Sequence, residues 1–305
     1  MRKIAIVAAT VLALTACKST PPKAQESTPT SFAERADVLA AIESNRLDDA
    51  DATLKTAPDL PDVHFLRARL AESRMDNETA WREIKQAVAK EPNFAEYQYE
   101  MGVIAGMPTG PGQTLTAQAA RFAEGGRALD AALALHPDEP KYLYTRAYYL
   151  DIADVASGGD PAKAKKMYDH LLEVAPDSAW AHRVLFDRAA QAEKWDDAET
   201  EATRAGERDP ILGSRLWLLV GATRLRDGKL DKARADLEAA AKLNVGTATS
   251  FCDAGWALDQ GGNVNLAHDY WARCLELAPH GPRAAEAKTR LDAEKGAAGF
   301  GAPKK

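Results

Sequence analysis

Large, small and glycine positions recur along the C-terminal third of the chain at a fixed interval. Trp217, Gly221, Gly228, Ala233, Leu237 and Ala240 are each followed 34 residues later by Phe251, Gly255, Gly262, Ala267, Trp271 and Cys274. Two antiparallel helices cross closely only where side chains are small, so Gly221 with Ala233 and Ala240 marks one crossing and Gly255 with Ala267 the next. Trp217, Leu237, Phe251 and Trp271 fill the space beside each crossing. Gly228 and Gly262 fall between the two helices of a pair, where glycine adopts a left-handed conformation at least cost.

The same frame extends upstream. Ala68, Ala80, Ala87 and Pro92 lie in a unit starting near residue 61, and Gly102 follows Ala68 by 34 positions. Leu185, Trp195, Ala198, Ala202, Ala205 and Pro210 belong to a unit starting near residue 179. Unit starts fall near 31, 61, 95, 140, 179, 214 and 248. The period, and the order large, small, glycine, small, large, small closed by a proline such as Pro279, resemble the tetratricopeptide repeat over about residues 31–281. The resemblance implies an all-α fold: a right-handed superhelix, or α-solenoid, of about seven helix pairs. A solenoid needs a polar terminal cap, and the polar stretch 282–295 is expected to supply a capping helix, so that the solenoid spans 31–295. Residues 296–305 are expected to be a disordered tail.

Two stretches depart from the frame. Residues 107–116 (MPTGPGQTLT) insert a Gly/Pro-rich loop into the third pair, before a helix carrying Gly125-Gly126. Ser157-Gly158-Gly159-Asp160-Pro161 lengthens the turn of the fourth. Loops accept added length cheaply, so both are read as tolerated insertions, with binding loops as the other reading.

The N-terminus alters the picture. Arg2 and Lys3 precede an apolar stretch from Ile4 to Leu14 that is too short to span a bilayer, the pattern of a secretory signal. Leu14-Thr15-Ala16-Cys17 resembles the lipobox of bacterial lipoproteins, which implies a signal peptide over 1–16 and acylation of Cys17. Residue 18 is Lys and not the Asp that holds such proteins in the inner membrane, so the resemblance implies a lipid-anchored, periplasm-facing protein of the outer membrane. Residues 17–30, rich in Pro, Ser and Thr, are expected to form a flexible linker.

Composition narrows the function. With 45 Asp and Glu against 39 Lys and Arg, a formal charge of −6 and 46% apolar residues, the chain is globular and mildly acidic. Loss of Arg2 and Lys3 with the signal makes the remainder more acidic, which disfavours nucleic acid as a partner. No HExxH, CxxC, GxSxG, phosphate-binding glycine loop or EF-hand series occurs, so no catalytic residues, metal site or cofactor are expected. His64 and His182 occupy the frame position of Trp217 and Phe251 and are read as packed core residues. The clusters Asp48-Asp49-Ala50-Asp51 and Asp196-Asp197 fall at the starts of second helices, where carboxylates complement the helix dipole.

Two further assignments come from the frame. Cys252, early in a first helix, and Cys274, late in the following second helix, are brought together by antiparallel packing; a disulfide and two free core thiols are both open. The exposed faces of successive first helices line the inner wall of the superhelix. Projection onto that wall selects a partner-binding groove of Phe65, Arg69, Tyr99, Tyr144, Tyr148, Asp151, Trp180, Arg183, Asp187, Arg215, Leu218, Trp256 and Asp259. Aromatics mixed with arginines and aspartates suit peptide or protein recognition. The lysine and asparagine clamp that some members of the resembling family use for a C-terminal carboxylate is absent from these positions.

The expectation is a membrane-anchored scaffold or assembly factor for an envelope protein or peptide, not an enzyme. The alternative is a periplasmic hydrolase or transferase with an unrecognised site. The sequence names neither the partner nor the oligomeric state.

Overall fold

The computed structural model describes residues 25–28, 31–107, 114–153, 158–244, 248–279 and 283–298. The signal peptide, Cys17 and the end of the chain beyond 298 lie outside these residues, as do 108–113 of the first insertion and Ser157 at the start of the second.

Fifteen helices and no strands are present among the described residues. Seven consecutive pairs are α1 (Arg35–Glu43) with α2 (Leu47–Lys55), α3 (Pro61–Ser73) with α4 (Asn77–Lys90), α5 (Ala95–Ala105) with α6 (Leu115–Leu135), α7 (Pro140–Ile152) with α8 (Pro161–Val174), α9 (Ala179–Gln191) with α10 (Trp195–Arg208), α11 (Pro210–Arg226) with α12 (Leu230–Leu243), and α13 (Thr249–Gln260) with α14 (Val264–Leu277). A fifteenth helix, α15 (Ala284–Ala298), packs on α14 and closes the stack. Each first helix packs most heavily on its own second helix, and at four of the six junctions, such as α4 with α5 and α10 with α11, the second helix also packs on the next first helix. This is an α-solenoid.

Local chemistry explains the boundaries. Pro61, Pro140, Pro161 and Pro210 sit in the first turns of α3, α7, α8 and α11, where the missing N–H costs nothing. Asp76, Thr114, Asp160, Ser178 and Asp209 cap α4, α6, α8, α9 and α11 by accepting from backbone N–H groups of the first turn. Inside the pairs, Ala80, Ala87, Ala164, Ala198, Ala205, Ala233, Ala240 and Ala267 are fully buried, as close crossing requires. A Cβ on Gly102 would fall 2.5 Å from Leu129 and one on Gly255 2.5 Å from Trp271. In the Gly125-Gly126 pair, only Gly125 is the tight crossing, 2.4 Å from the Cβ of Ala105 by the same construction.

Several boundaries differ from the sequence frame. The first helix begins at Arg35 rather than 31, because residues 31–34 form a turn whose Phe32 N–H donates to Asp62 at 2.9 Å. Arg35 also pairs with Asp62, and the Tyr97 hydroxyl donates to it at 3.3 Å, so this buried carboxylate ties pair one to pairs two and three. Pair six begins at Pro210, four residues before the projected 214, because Asp209 accepts from the N–H groups of both Ile211 and Leu212. The capping helix runs from Ala284 to Ala298, three residues past its expected end. Residues 25–28 fall in the stretch read as flexible linker, yet they lie against pair three. The Glu26 carboxylate accepts from the Ala95 N–H at 3.1 Å, satisfying the open first turn of α5, and meets His136 Nε2 at 2.6 Å.

The core is segmented, as expected of an array in which each unit touches only its neighbours. Two junctions are loose: α8 barely touches α9, and α12 makes little contact with α13. At each of them a cavity opens on the first-helix side. One, of about 590 Å³, lies between α7 and α9; the other, of about 780 Å³ and lined largely by leucines, lies between α11 and α13.

Candidate binding site

The first helices carry the projected groove, and their surroundings sort its residues into three groups. Phe65 and Tyr144 are buried at 3% and 5% exposure, and both are core side chains rather than groove surface. Phe65 packs on Tyr97, and Tyr144 on Tyr168 and Trp180, since each sits where one pair stacks on the next. Arg69, Arg183, Asp187 and Asp259 are already engaged. Arg69 donates to Glu72 and Glu100, both at 3.0 Å. Arg183 Nε lies 3.0 Å from Asp187, which also accepts from the Tyr144 hydroxyl at 2.6 Å. Asp259 pairs with Arg290 of the capping helix at 3.2 Å.

The remaining seven are available. Tyr148, Asp151, Arg215 and Trp256 are exposed, and Tyr99, Trp180 and Leu218 are half-buried, with Trp180 packed against the Tyr144 ring. Tyr99 stacks on Tyr142 with ring centroids 5.0 Å apart, and Lys141 Nζ lies 5.4 Å from its ring centre. Burial pushes its hydroxyl up to about 12.

The sequence reading passed over Glu72 and Glu100, which with Arg69 form a charged cluster on the same wall. Burial, reinforced by the Glu100 carboxylate, pushes Glu72 up to about 7, against the opposing fields of Arg69 and Arg215. Arg215 belongs to α11, yet its field also reaches Tyr99 on α5. Arg215 of pair six thus contributes positive potential to the charged cluster of pairs two and three. Glu72 follows Arg69 by one helical turn, a signal present in the sequence. The inward position of Glu100 had none, since a glutamate on a helix ordinarily faces solvent.

His64 and His182 are buried, and each has a carboxylate partner 19 residues on. His64 Nδ1 lies 2.8 Å from Glu83 and its Nε2 2.7 Å from Asp59; His182 Nδ1 lies 2.7 Å from Glu201. The acidic clusters open α2 and α10, and Glu199 beside the second reaches Arg224, which is itself held by Asp236 at 2.7 Å. Among the described residues, no three His, Cys, Asp or Glu side chains are grouped to hold a metal ion. Cys252 and Cys274 are joined by a disulfide with Cα atoms 5.4 Å apart, linking the start of α13 to the end of α14. No helix among the described residues is long and apolar enough to cross a membrane.

No family model matches the chain. It is 24% identical over 249 residues to Superkiller complex protein 3 of Mus musculus, and 24% over 230 residues to that of Homo sapiens. These matches cover 79% and 74% of the chain but only 15% and 14% of the relatives, so the chain spans about one seventh of their length. Among solved structures, the C-terminal part of a TPR repeat-containing protein from Cytophaga hutchinsonii matches at 12% identity and a TM-score of 0.37, covering 83% of this chain and 99% of that one. The human IFIT1 dimer with PPP-AAAA matches at 13% identity and 0.34, covering 89% and 70%. Superpositions this loose add nothing to the packed pairs themselves. The fold is that of a tetratricopeptide-like helical repeat, on the 34-residue spacing and the small-residue crossings described above.

Proposed function

We propose that this chain is a protein-binding scaffold of the bacterial envelope, not an enzyme, which holds an extended segment of a partner along its first-helix wall. One observation carries the reading. Most charges on that wall are consumed by partners within the chain, whereas Tyr148 and Asp151 of α7, Arg215 of α11 and Trp256 of α13 remain exposed. An aromatic side chain left on a concave wall beside an unused charge is suited to anchoring a partner.

The envelope part of the proposal rests on residues 1–18: the charged start, the apolar stretch, the lipobox-like Leu14-Thr15-Ala16-Cys17 and Lys18. Acylation of Cys17 would tether the solenoid to the outer membrane, facing the periplasm. Because residues 25–28 lie against pair three, only residues 18–24 would separate lipid from body, a span of at most about 23 Å. The scaffold would then work close to the membrane surface.

Photo-crosslinking in intact cells tests both parts. A benzoylphenylalanine at position 148 or 256 is expected to trap one discrete partner, while the same probe at Arg82 or Thr203 on second helices traps none. Equal trapping from all four positions would remove the groove. Fatty-acid labelling that Cys17→Ala abolishes is expected; an unlabelled wild type would remove the anchor.

A further inference from the structure

The cavity between α7 and α9 combines three features that suit one kind of side chain. It has a volume of about 590 Å³ and opens at the loose junction between pairs four and five. Its mouth carries Tyr148 and Ile152, exposed at 43% and 53%, on the last two turns of α7. Between them stands Asp151.

The charges around the cavity are unevenly matched. Asp169 is neutralised by Lys165 at 2.6 Å and by Arg188 at 3.0 Å. Asp187 is held by Arg183 and by the Tyr144 hydroxyl. Among the described residues Asp151 has neither a cation nor a hydrogen-bond donor, although it lines the same cavity. Its field reaches the floor: burial, together with the negative charges of Asp151 and Asp187, pushes the Tyr168 hydroxyl well above its ordinary value.

Aromatic rings supply the third feature. Tyr148 stacks on Tyr144 with ring planes 10° apart and centroids separated by 6.4 Å. Arg183 lies 5.3 Å over Tyr144, so this stack already accommodates one guanidinium. Tyr148 is exposed at the end of the stack. A ring face, an unmatched carboxylate and an apolar wall from Ile152 and Val184 together receive the stem and head of a long cationic side chain.

We infer that this cavity is a specificity pocket for an arginine or lysine side chain of an extended partner segment. The inference rests on the scaffold reading above and adds the chemistry of its ligand. Asp151 takes the charge, Tyr148 covers the cation, and Ile152 with Val184 accepts its methylene stem or an adjacent apolar residue.

The test is selection of a random nonapeptide display library on the full-length chain in detergent, alongside Asp151→Asn and Tyr148→Ala. Both substitutions are at exposed positions, and their melting temperatures report whether the fold is retained. The expected result is enrichment of peptides with one Arg or Lys beside an apolar residue. Asp151→Asn is expected to abolish that preference and weaken the selected peptides at least tenfold, with Tyr148→Ala weakening them about threefold to tenfold. Enriched peptides with no basic preference, or with affinity unchanged in Asp151→Asn, would overturn the pocket and leave the scaffold standing. Failure to enrich any peptide would overturn both. Conversion of a wild-type dimer to a monomer by Asp151→Asn would assign the cavity to a second copy of the chain and overturn the inference.

Discussion

Gly206 and Gly213 meet where α10 packs on α11, so closely that a Cβ built on Gly213 would fall 2.2 Å from the Cα of Gly206 and 2.6 Å from its backbone nitrogen. No rotamer change relieves a clash between backbones. The crossing therefore depends on two glycines seven positions apart, at the junction between pairs five and six.

Gly213→Ala is expected to destabilise the fold by about 2–3 kcal/mol, even though alanine is the better helix former. Gly126→Ala is the contrasting case, since the nearest atom to its added Cβ is 3.8 Å away. That change is expected to be neutral or stabilising by up to about 1 kcal/mol. Urea denaturation of the two variants separates packing from propensity: equal shifts would remove the argument.

Glu72 gives the chain a pH dependence of definite sign. Its folded pKa of about 7 stands above the model-compound value of 4.5, so the folded state binds its proton more tightly than the unfolded state does. The stability linked to that proton is fully present below about pH 4.5 and is lost as the pH rises through 7. Over this window the loss is on the order of 1–3 kcal/mol. The melting temperature of the wild type is expected to fall more between pH 5 and pH 8 than that of Glu72→Gln; parallel profiles would contradict the assignment.

The turn inside a pair reuses one left-handed residue. Gly228 and Gly262 hold φ of 73° and 79°, while Asn45, Met75 and Glu193 hold 57°, 58° and 56° at the equivalent points of pairs one, two and five. A side chain there costs about 1 kcal/mol or more, which glycine does not incur. Met75→Gly and Glu193→Gly are each expected to raise stability by about 0.5–1 kcal/mol, measured by thermal unfolding. A loss of stability in both would refute the strain.

The disulfide encloses a separation of 22 residues, for which loop entropy alone contributes about 3 kcal/mol. Cys252→Ala with Cys274→Ala is expected to lower the unfolding free energy by about that amount, with the change felt in pair seven and α15. Titration of unfolded, unreduced protein should detect neither thiol; two reactive thiols would show that the bond does not form.

The sequence alone determined the helix pairs. Ala68 and Gly102, or Gly221 and Gly255, recur at one period because a crossing within a pair is made by residues close along the chain, so spacing and side-chain size suffice to predict it. Starts at 61, 95, 140 and 179 follow from the same frame and its capping residues. The binding wall was another matter. Phe65 and Tyr144 share the frame positions of exposed groove residues, yet stacking of one pair on the next buries them. Arg69, Arg183 and Asp259 look like free charges until their partners are known, and Glu100 and Arg290 come from elsewhere in the stack, 31 residues on. The meeting of Gly206 with Gly213, the docking of Glu26 on α5 and the proximity of Arg215 to Glu72 depend on how neighbouring pairs are rotated against each other. That rotation is set by summed packing over many side chains, which no single spacing records. Only the tertiary structure decided which charges stay unmatched, and so where a partner can bind.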